Sequence, residues 1–328
     1  MSFGLMPDGS PVERHQIEGG GLAALVLSYG AVLQDLRLDG HDAPLVLGFE
    51  EFAPYLTDSP YFGAIAGRCA NRIGEGRFEI DGKHYQVDRN FMDRHHLHGG
   101  SAGVGKRNWV VEEVAADRIT LRIDLEDGEM GYPGNLVARC TYACLEGGVF
   151  DVRIEAETDA PTLCNFAHHT YWNLDGGETT NDHLMQVDAD RWTVVDEGFI
   201  PTGESADVSG TRYDFRQMRP IKDEVFIDHN LCLSDSRSDL RKIGTLTSQK
   251  SEISMEMRST EPGLQVYDGF KLAVEPPGLG GRIYGKNAGV ALEPQIWPDA
   301  VNHTDFPNAI LRPGEVYRQH TQFAFSKG

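Results

Sequence analysis

The sequence predicts an all-β protein, a large antiparallel β-sandwich, on three observations. Apolar residues recur at every second position through most of the chain, the period of a half-buried strand. Turn-forming residues punctuate it at short intervals, with 37 glycines and 16 prolines. No long stretch carries the i, i+3, i+4 spacing of an amphipathic helix.

Taken in order, "ALVLSYGAVLQDLRLDG" (residues 24–40) is a pair of apolar, strand-like runs closing on Asp39-Gly40. "RFEIDGKHYQV" (77–87) sets Phe78 and Ile80 before Asp81-Gly82, and Tyr85 and Val87 after it. Asp-Gly between alternating runs is a hairpin signal, because a type I′ turn needs positive φ at both central residues. "ITLRIDL" alternates Ile119, Leu121, Ile123 and Leu125 with polar residues, and "FDVRIEAE" sets Phe150, Val152, Ile154 and Ala156 inward with charges outward. No linker, compositional break or repeat divides the chain, so residues 1–328 are expected to form one domain.

Composition narrows the function. Hydrophobic content of 40% and charged content of 24% describe an ordinary globular chain. A formal charge of −20 disfavours nucleic acid and anionic membranes as partners and, more weakly, phosphorylated substrates. The N-terminus lacks a basic start followed by an apolar run, and no apolar stretch is long enough to span a bilayer. The five cysteines (Cys69, Cys140, Cys144, Cys164, Cys232) are odd in number and lack CxxC spacing. They are expected to be reduced, mostly buried thiols, in a cytoplasmic protein.

Four strings carry candidate chemistry. In "CNFAHHTYWNLDGG" (164–177), strand alternation puts Phe166, His168, Thr170 and Trp172 on one face and His169, Tyr171 and Asn173 on the other. The second face is either the wall of a polar pocket or the outer face of a half-exposed strand. In "GVALEPQIWPDAVNH" (289–303), an apolar strand runs into Glu293. Burial there would raise its pKa toward neutrality, as suits a general base; the alternative is a rim salt bridge. "GRCANRIGEGRF" (67–78) offers Arg68, Asn71 and Arg72 in a glycine-punctuated loop from which a guanidinium can reach a ligand. "DRHHLHGG" (93–100) packs His95, His96 and His98 into four positions.

Together these strings resemble the aldose 1-epimerase (galactose mutarotase) family. "GRCANRIGEGRF", "LHGG", "DGEMGYPGNL", "HHTYWNL", "IPTGE", "DHNLCL", "EPGLQVYDGF", "LEPQIWPDAVNH" and "DFPNAILRPGEVY" appear in that family's order, from about residue 20 to the C-terminus. The resemblance implies a β-supersandwich of two packed, twisted sheets. It implies an enzyme that interconverts the α and β anomers of free aldoses with no metal and no cofactor. It also implies His169 as general acid, Glu293 as general base, and His98 as a residue holding the sugar near its ring oxygen. Arg72, Asp228 and Gln265 match sugar-binding positions, and Asn71, beside Arg72, is counted with them. The expected partner is a monosaccharide, bound by a monomer or homodimer.

Two departures stand out. The family's Asn before the acid histidine is His168 here, on the opposite strand face, where a packing role is expected. The family's "VYTGN" reads "VYDGF", with Asp268 and Phe270 beside Gln265, which bears on sugar preference. His95 and His96 have no second cluster of ligand residues at metal spacing in the sequence, so the histidine trio is read as one ligand-facing residue in a polar loop. Tyr171 or Trp297 is a candidate to stack on the sugar. A hexose-6-phosphate 1-epimerase and a non-catalytic carbohydrate-binding protein of the same fold are the alternatives; a glycosidase would need two carboxylates across the bond.

Overall fold

The structure, a computed structural model, describes residues 2–221 and 225–328. Strands dominate it, and the only α-helix among the described residues is the single turn Ala53–Thr57. All named strand pairs are antiparallel. A nine-stranded sheet runs, in spatial order, through Val110–Val114, Arg118–Leu125, Leu136–Leu145, Val149–Thr158, Tyr317–Lys327, Ile253–Ser259, Arg241–Ser248, Leu184–Val187 and Arg219–Pro220. A six-stranded sheet runs through Tyr171–Trp172, Val290–Gln295, Gly263–Tyr267, Asp228–Cys232, Arg191–Val195 and Pro201–Asp207. The N-terminal residues form a separate four-stranded meander, Ser2–Leu5, Pro11–Gly19, Leu22–Leu27 and Leu33–Leu38.

Alternation explains how the two large sheets pack. Ile119, Leu121, Ile123 and Leu125 point inward with Phe150, Val152, Ile154 and Ala156, as their period of two requires. The six-stranded sheet meets them in the same core with Leu231, Leu264, Val266, Val290 and Leu292. Each such side chain contributes roughly 1.5–3 kcal/mol when fully buried. Asp151 departs from the charges-outward pattern. It is buried on the outer face of its strand, where Arg153, His320 and Gln322 satisfy its carboxylate.

Turn chemistry is local and follows the sequence. Asp81 and Gly82 both have positive φ (52° and 77°), and they join Arg77–Ile80 to Lys83–Gln86. Phe78 stacks on Tyr85 across that hairpin at 5.3 Å. All five cysteines are buried and free. No helix among the described residues is long and apolar enough to cross a membrane.

The six-stranded sheet has a second face, and it is polar. Gln265 pairs with Glu293 and with Asn230, Tyr171 pairs with Ala291, and Asp228 pairs with Tyr267. Directly paired residues share a face, so Tyr171, Glu293, Gln265, Tyr267 and Asp228 all look away from the core. That face floors a cleft.

Candidate active site

The cleft has a volume of about 380 Å³, within the range of small-molecule sites. Its lining includes Asn71, Arg72, His98, His169, Tyr171, Asp228 and Glu293. Strand alternation delivers His169. The segment Ala167–His169 pairs with Ala64–Ala66, and His169 and Tyr171 face the cleft. His168 faces the core instead, among Tyr142, Phe150 and Phe323 and hydrogen-bonded to Thr170 Oγ1 at 2.9 Å. Asn173, expected beside His169 and Tyr171, is not in the cleft. Its amide donates to the Gly177 and Ala288 carbonyls, because the chain leaves the strand at this point and needs its loop tied down.

Asp228 organises the floor. Arg72 Nη2 donates to its Oδ2 at 2.8 Å and Gln265 Nε2 to its Oδ1 at 2.6 Å, all three residues being buried. The Arg72 guanidinium is also held over the rings of Phe91 and Phe199, each 5.0 Å away. A buried charge is tolerated only when paired in this way. Arg68 does not join it: its guanidinium is buried against the carbonyls of Pro133, Gly134 and Glu126, a purely structural role. The motif after Glu293 fixes the Arg72 loop. Asp299 donates its N–H to the Arg72 carbonyl, and its Oδ1 accepts the Gly74 N–H at 2.9 Å.

The histidine-rich string separates into three roles. His95 Nδ1 accepts the Glu75 N–H, and His96 is bonded to the Tyr132 hydroxyl and the Asp88 carbonyl; neither lines the cleft. His98 enters it from a left-handed backbone position (φ 50°) followed by Gly99 and Gly100. A Cβ on Gly99 would lie 1.7 Å from the Gly67 carbonyl oxygen, so the glycine is a steric necessity.

His98, His169 and Glu293 bring metal-ligand atoms within 4.8 Å of one another, a set the sequence spacing did not reveal. Ligands of a tetrahedral zinc stand roughly 3.3 Å apart, at metal–nitrogen distances of about 2.0–2.1 Å. The hydrogen bonding also argues against a metal. His98 Nδ1 accepts the Asn71 N–H at 3.2 Å, and burial holds its pKa well below the usual histidine range. The neutral ring therefore carries its proton on Nε2. It presents a donor to the cleft, not a lone pair.

Electrostatics set the remaining pair apart. His169 Nε2 lies 3.5 Å from Glu293 Oε1. Burial pushes Glu293 up to about 8, reinforced by the Asp228 charge and opposed by Arg72. Burial likewise lowers His169 to about 4. Each charged form is disfavoured by desolvation, so between those values the pair holds one proton, on Glu293 in the empty cleft. Glu293 Oε2 has no hydrogen-bond partner among the described residues. A buried polar atom left open in a cleft is a place for a ligand hydroxyl.

The sequence profile of the aldose 1-epimerase family matches residues 13–324. The chain belongs to the aldose 1-epimerase family. It is 38% identical to human galactose mutarotase, over 99% of this chain and 97% of that protein. It is 30% identical to the aldose 1-epimerase of Escherichia coli (strain K12), over 98% and 97% respectively. The crystal structure of a GalM/aldose epimerase homologue from C. elegans matches with a TM-score of 0.90 at 30% identity, covering 96% of this chain and 99% of that one. A galactose 1-epimerase from Lactobacillus acidophilus matches with a TM-score of 0.86 at 26% identity, covering 100% and 98%.

Within this aldose 1-epimerase the departure at Asp268 has a structural account. Its Oδ2 accepts the Ile227 N–H and its Oδ1 the Phe270 N–H, each at 3.0 Å, buttressing the strand that carries Asp228. Phe270 lies outside the cleft lining and stacks on Phe226 at 4.0 Å. Trp297 is not a sugar platform: it is buried in a side cluster with its Nε1 donating to the Pro262 carbonyl. The aromatic walls are Tyr61, Phe91, Tyr171 and Tyr267, with Lys271 and Asp58 also in the lining. Tyr61, Phe91 and Lys271 sit on loops with no periodic signal; Tyr267 was missed in the sequence, although it stands two residues after Gln265 in "GLQVY", on the same strand face.

Proposed function

We propose that this aldose 1-epimerase interconverts the α and β anomers of free aldoses, with Glu293 and His169 exchanging protons across the bound pyranose. The observation that carries this reading is the buried pair lining the cleft, with His169 Nε2 3.5 Å from Glu293 Oε1. Anomerisation needs one group to take the O1 proton and another to give a proton to O5, with no covalent intermediate. Sugar hydroxyls entering the cleft supply hydrogen bonds that burial removed, and the proton passes from Glu293 to His169. Glu293 then accepts the O1 proton as His169 protonates O5, and the C1–O5 bond breaks. The open aldehyde rotates about C1–C2, and closure on the other carbonyl face reverses both transfers.

The other residues hold the ring. We assign Arg72, Asp228, Gln265 and Asn71 to the sugar hydroxyls, and His98, donating through Nε2, to the ring-oxygen side. We propose that residues 1–328 act as one domain without metal or cofactor, in the cytoplasm, where five free thiols stay reduced. The cleft favours neutral sugars over 6-phosphates, because Arg72 is already committed to Asp228. Polarimetry of freshly dissolved α-D-galactose, α-D-glucose and glucose 6-phosphate tests this, with and without EDTA. A saturable rate increase on the free sugars, unchanged by EDTA, is expected. Higher kcat/KM on the phosphate ester would establish the rival epimerase instead, and saturable binding without any acceleration would leave a carbohydrate-binding protein.

A further inference from the structure

We propose that Tyr61 is a positioning residue, its ring forming the wall that keeps water from a second cavity away from His169 and His98. The inference rests on the assignment of His169 and Glu293 as the proton-exchanging pair. Tyr61 has a φ of 66°, in the left-handed region, which a bulky side chain adopts only where its surroundings impose it. The surroundings do so here. The Tyr171 hydroxyl donates to the Pro60 carbonyl at 3.2 Å, and the Phe62 N–H donates to Ser59 Oγ at 2.9 Å. The Gly63 N–H donates to the carbonyl of His169 itself at 3.1 Å.

So held, the Tyr61 ring touches both histidines of the cleft. It stacks on His169 with centroids 5.7 Å apart and planes at 30°, and it lies 4.8 Å from the His98 ring. Tyr171 lies 5.2 Å from the His169 ring, so the imidazole packs against two phenol rings. Tyr61 also lines a second cavity, of about 330 Å³, together with Tyr29, Tyr55, Ser59 and Lys106. The ammonium of Lys106 stands 5.6 Å from the Tyr61 ring centroid. One side chain therefore stands between a polar-lined cavity and the proton-exchanging pair. Removing the ring joins the two spaces, hydrates His169 and relaxes the desolvation that keeps it neutral.

Two variants separate ring from fold. Tyr61→Phe keeps the wall. Tyr61→Gly removes it while relieving the left-handed strain, so the backbone change itself is favourable. The titration of His169 is followed by NMR of ¹³C-labelled histidine, and mutarotation of α-D-glucose by polarimetry. In Tyr61→Phe, His169 should titrate near about 4 as in the wild type. In Tyr61→Gly the His169 titration should rise toward the ordinary histidine value, with kcat down by about 10-fold or more and KM moved less. A Tyr61→Gly protein with an unshifted His169 titration overturns the proposal, as does a Tyr61→Phe protein whose titration moves as far as that of the glycine variant. If Tyr61→Gly does not fold, Tyr61→Leu serves: a narrower side chain should give an intermediate shift, and no shift overturns the wall. The NMR readout is independent of catalysis. A wild type that fails to accelerate mutarotation refutes the assigned reaction without touching the wall.

Discussion

His168 and His169 are adjacent, chemically identical and both buried, yet their surroundings give them different work. His169 meets Glu293 and the cleft, whereas His168 meets three aromatic rings and Thr170. His169→Gln should lower kcat by about 10²- to 10⁴-fold, the usual worth of a positioned proton transfer. His168→Gln should leave the rate near wild type and cost about 1–3 kcal/mol of stability, read by urea denaturation, because a buried polar partner is disturbed. The pair also fixes a pH profile. Below about 4 both members are protonated and none accepts; above about 8 the shared proton is gone and none donates. A bell-shaped kcat/KM with limbs near those values is expected, and a single limb near 6.5 would point to an isolated, solvated histidine.

Elements place these residues, and strands did so legibly while loops did not. The alternation that parts His169 from His168 follows from a period of two that can be read directly from the residues, whereas the register that sets Gln265 opposite Glu293 is seen only in the structure. Asn173 obeys the same alternation on paper but lies past the strand end, where backbone carbonyls claim its amide. Tyr61, Phe91 and Lys271 were not legible, because a loop's direction depends on contacts distant in sequence. Arg68 and Trp297 looked like ligand contacts by residue type, yet each side chain is spent on carbonyls of other segments. The "LHGG" turn was half legible: the glycines announced backbone room, and the structure shows what fills it. Gly99→Ala should displace the Gly67 carbonyl and with it His98, since the added Cβ would stand 1.7 Å from that oxygen. The expected result is a lowered melting temperature and a raised KM; a variant with wild-type values of both would contradict this account of the turn.

At the scale of the whole molecule, the buried imidazoles dictate how the fold responds to acid. Burial lowers His96 to about 4, His168 to about 3, and His169 and His229 to about 4. A group whose folded pKa is depressed binds protons more readily when unfolded, so stability is present above the unfolded value and is lost as pH falls toward the folded one. The window here runs from about 6.5 down to about 4, at up to ~1.4 kcal/mol per pH unit for each histidine. Glu293, raised to about 8, acts in the opposite sense as one group against four. Thermal unfolding should therefore move several degrees lower between pH 7 and pH 5, and a flat profile would mean that these rings are hydrated. The reaction itself rests on one carboxylate at the centre of that buried network. Glu293→Gln keeps the shape of the side chain but cannot accept the anomeric proton. The initial change in optical rotation of fresh α-D-galactose, corrected for the spontaneous reaction, should show a saturable acceleration by the wild type. It should show a loss of about 10²-fold or more with folded Glu293→Gln, at a KM changed far less. Glu293→Gln protein retaining most of the wild-type rate would contradict the central claim.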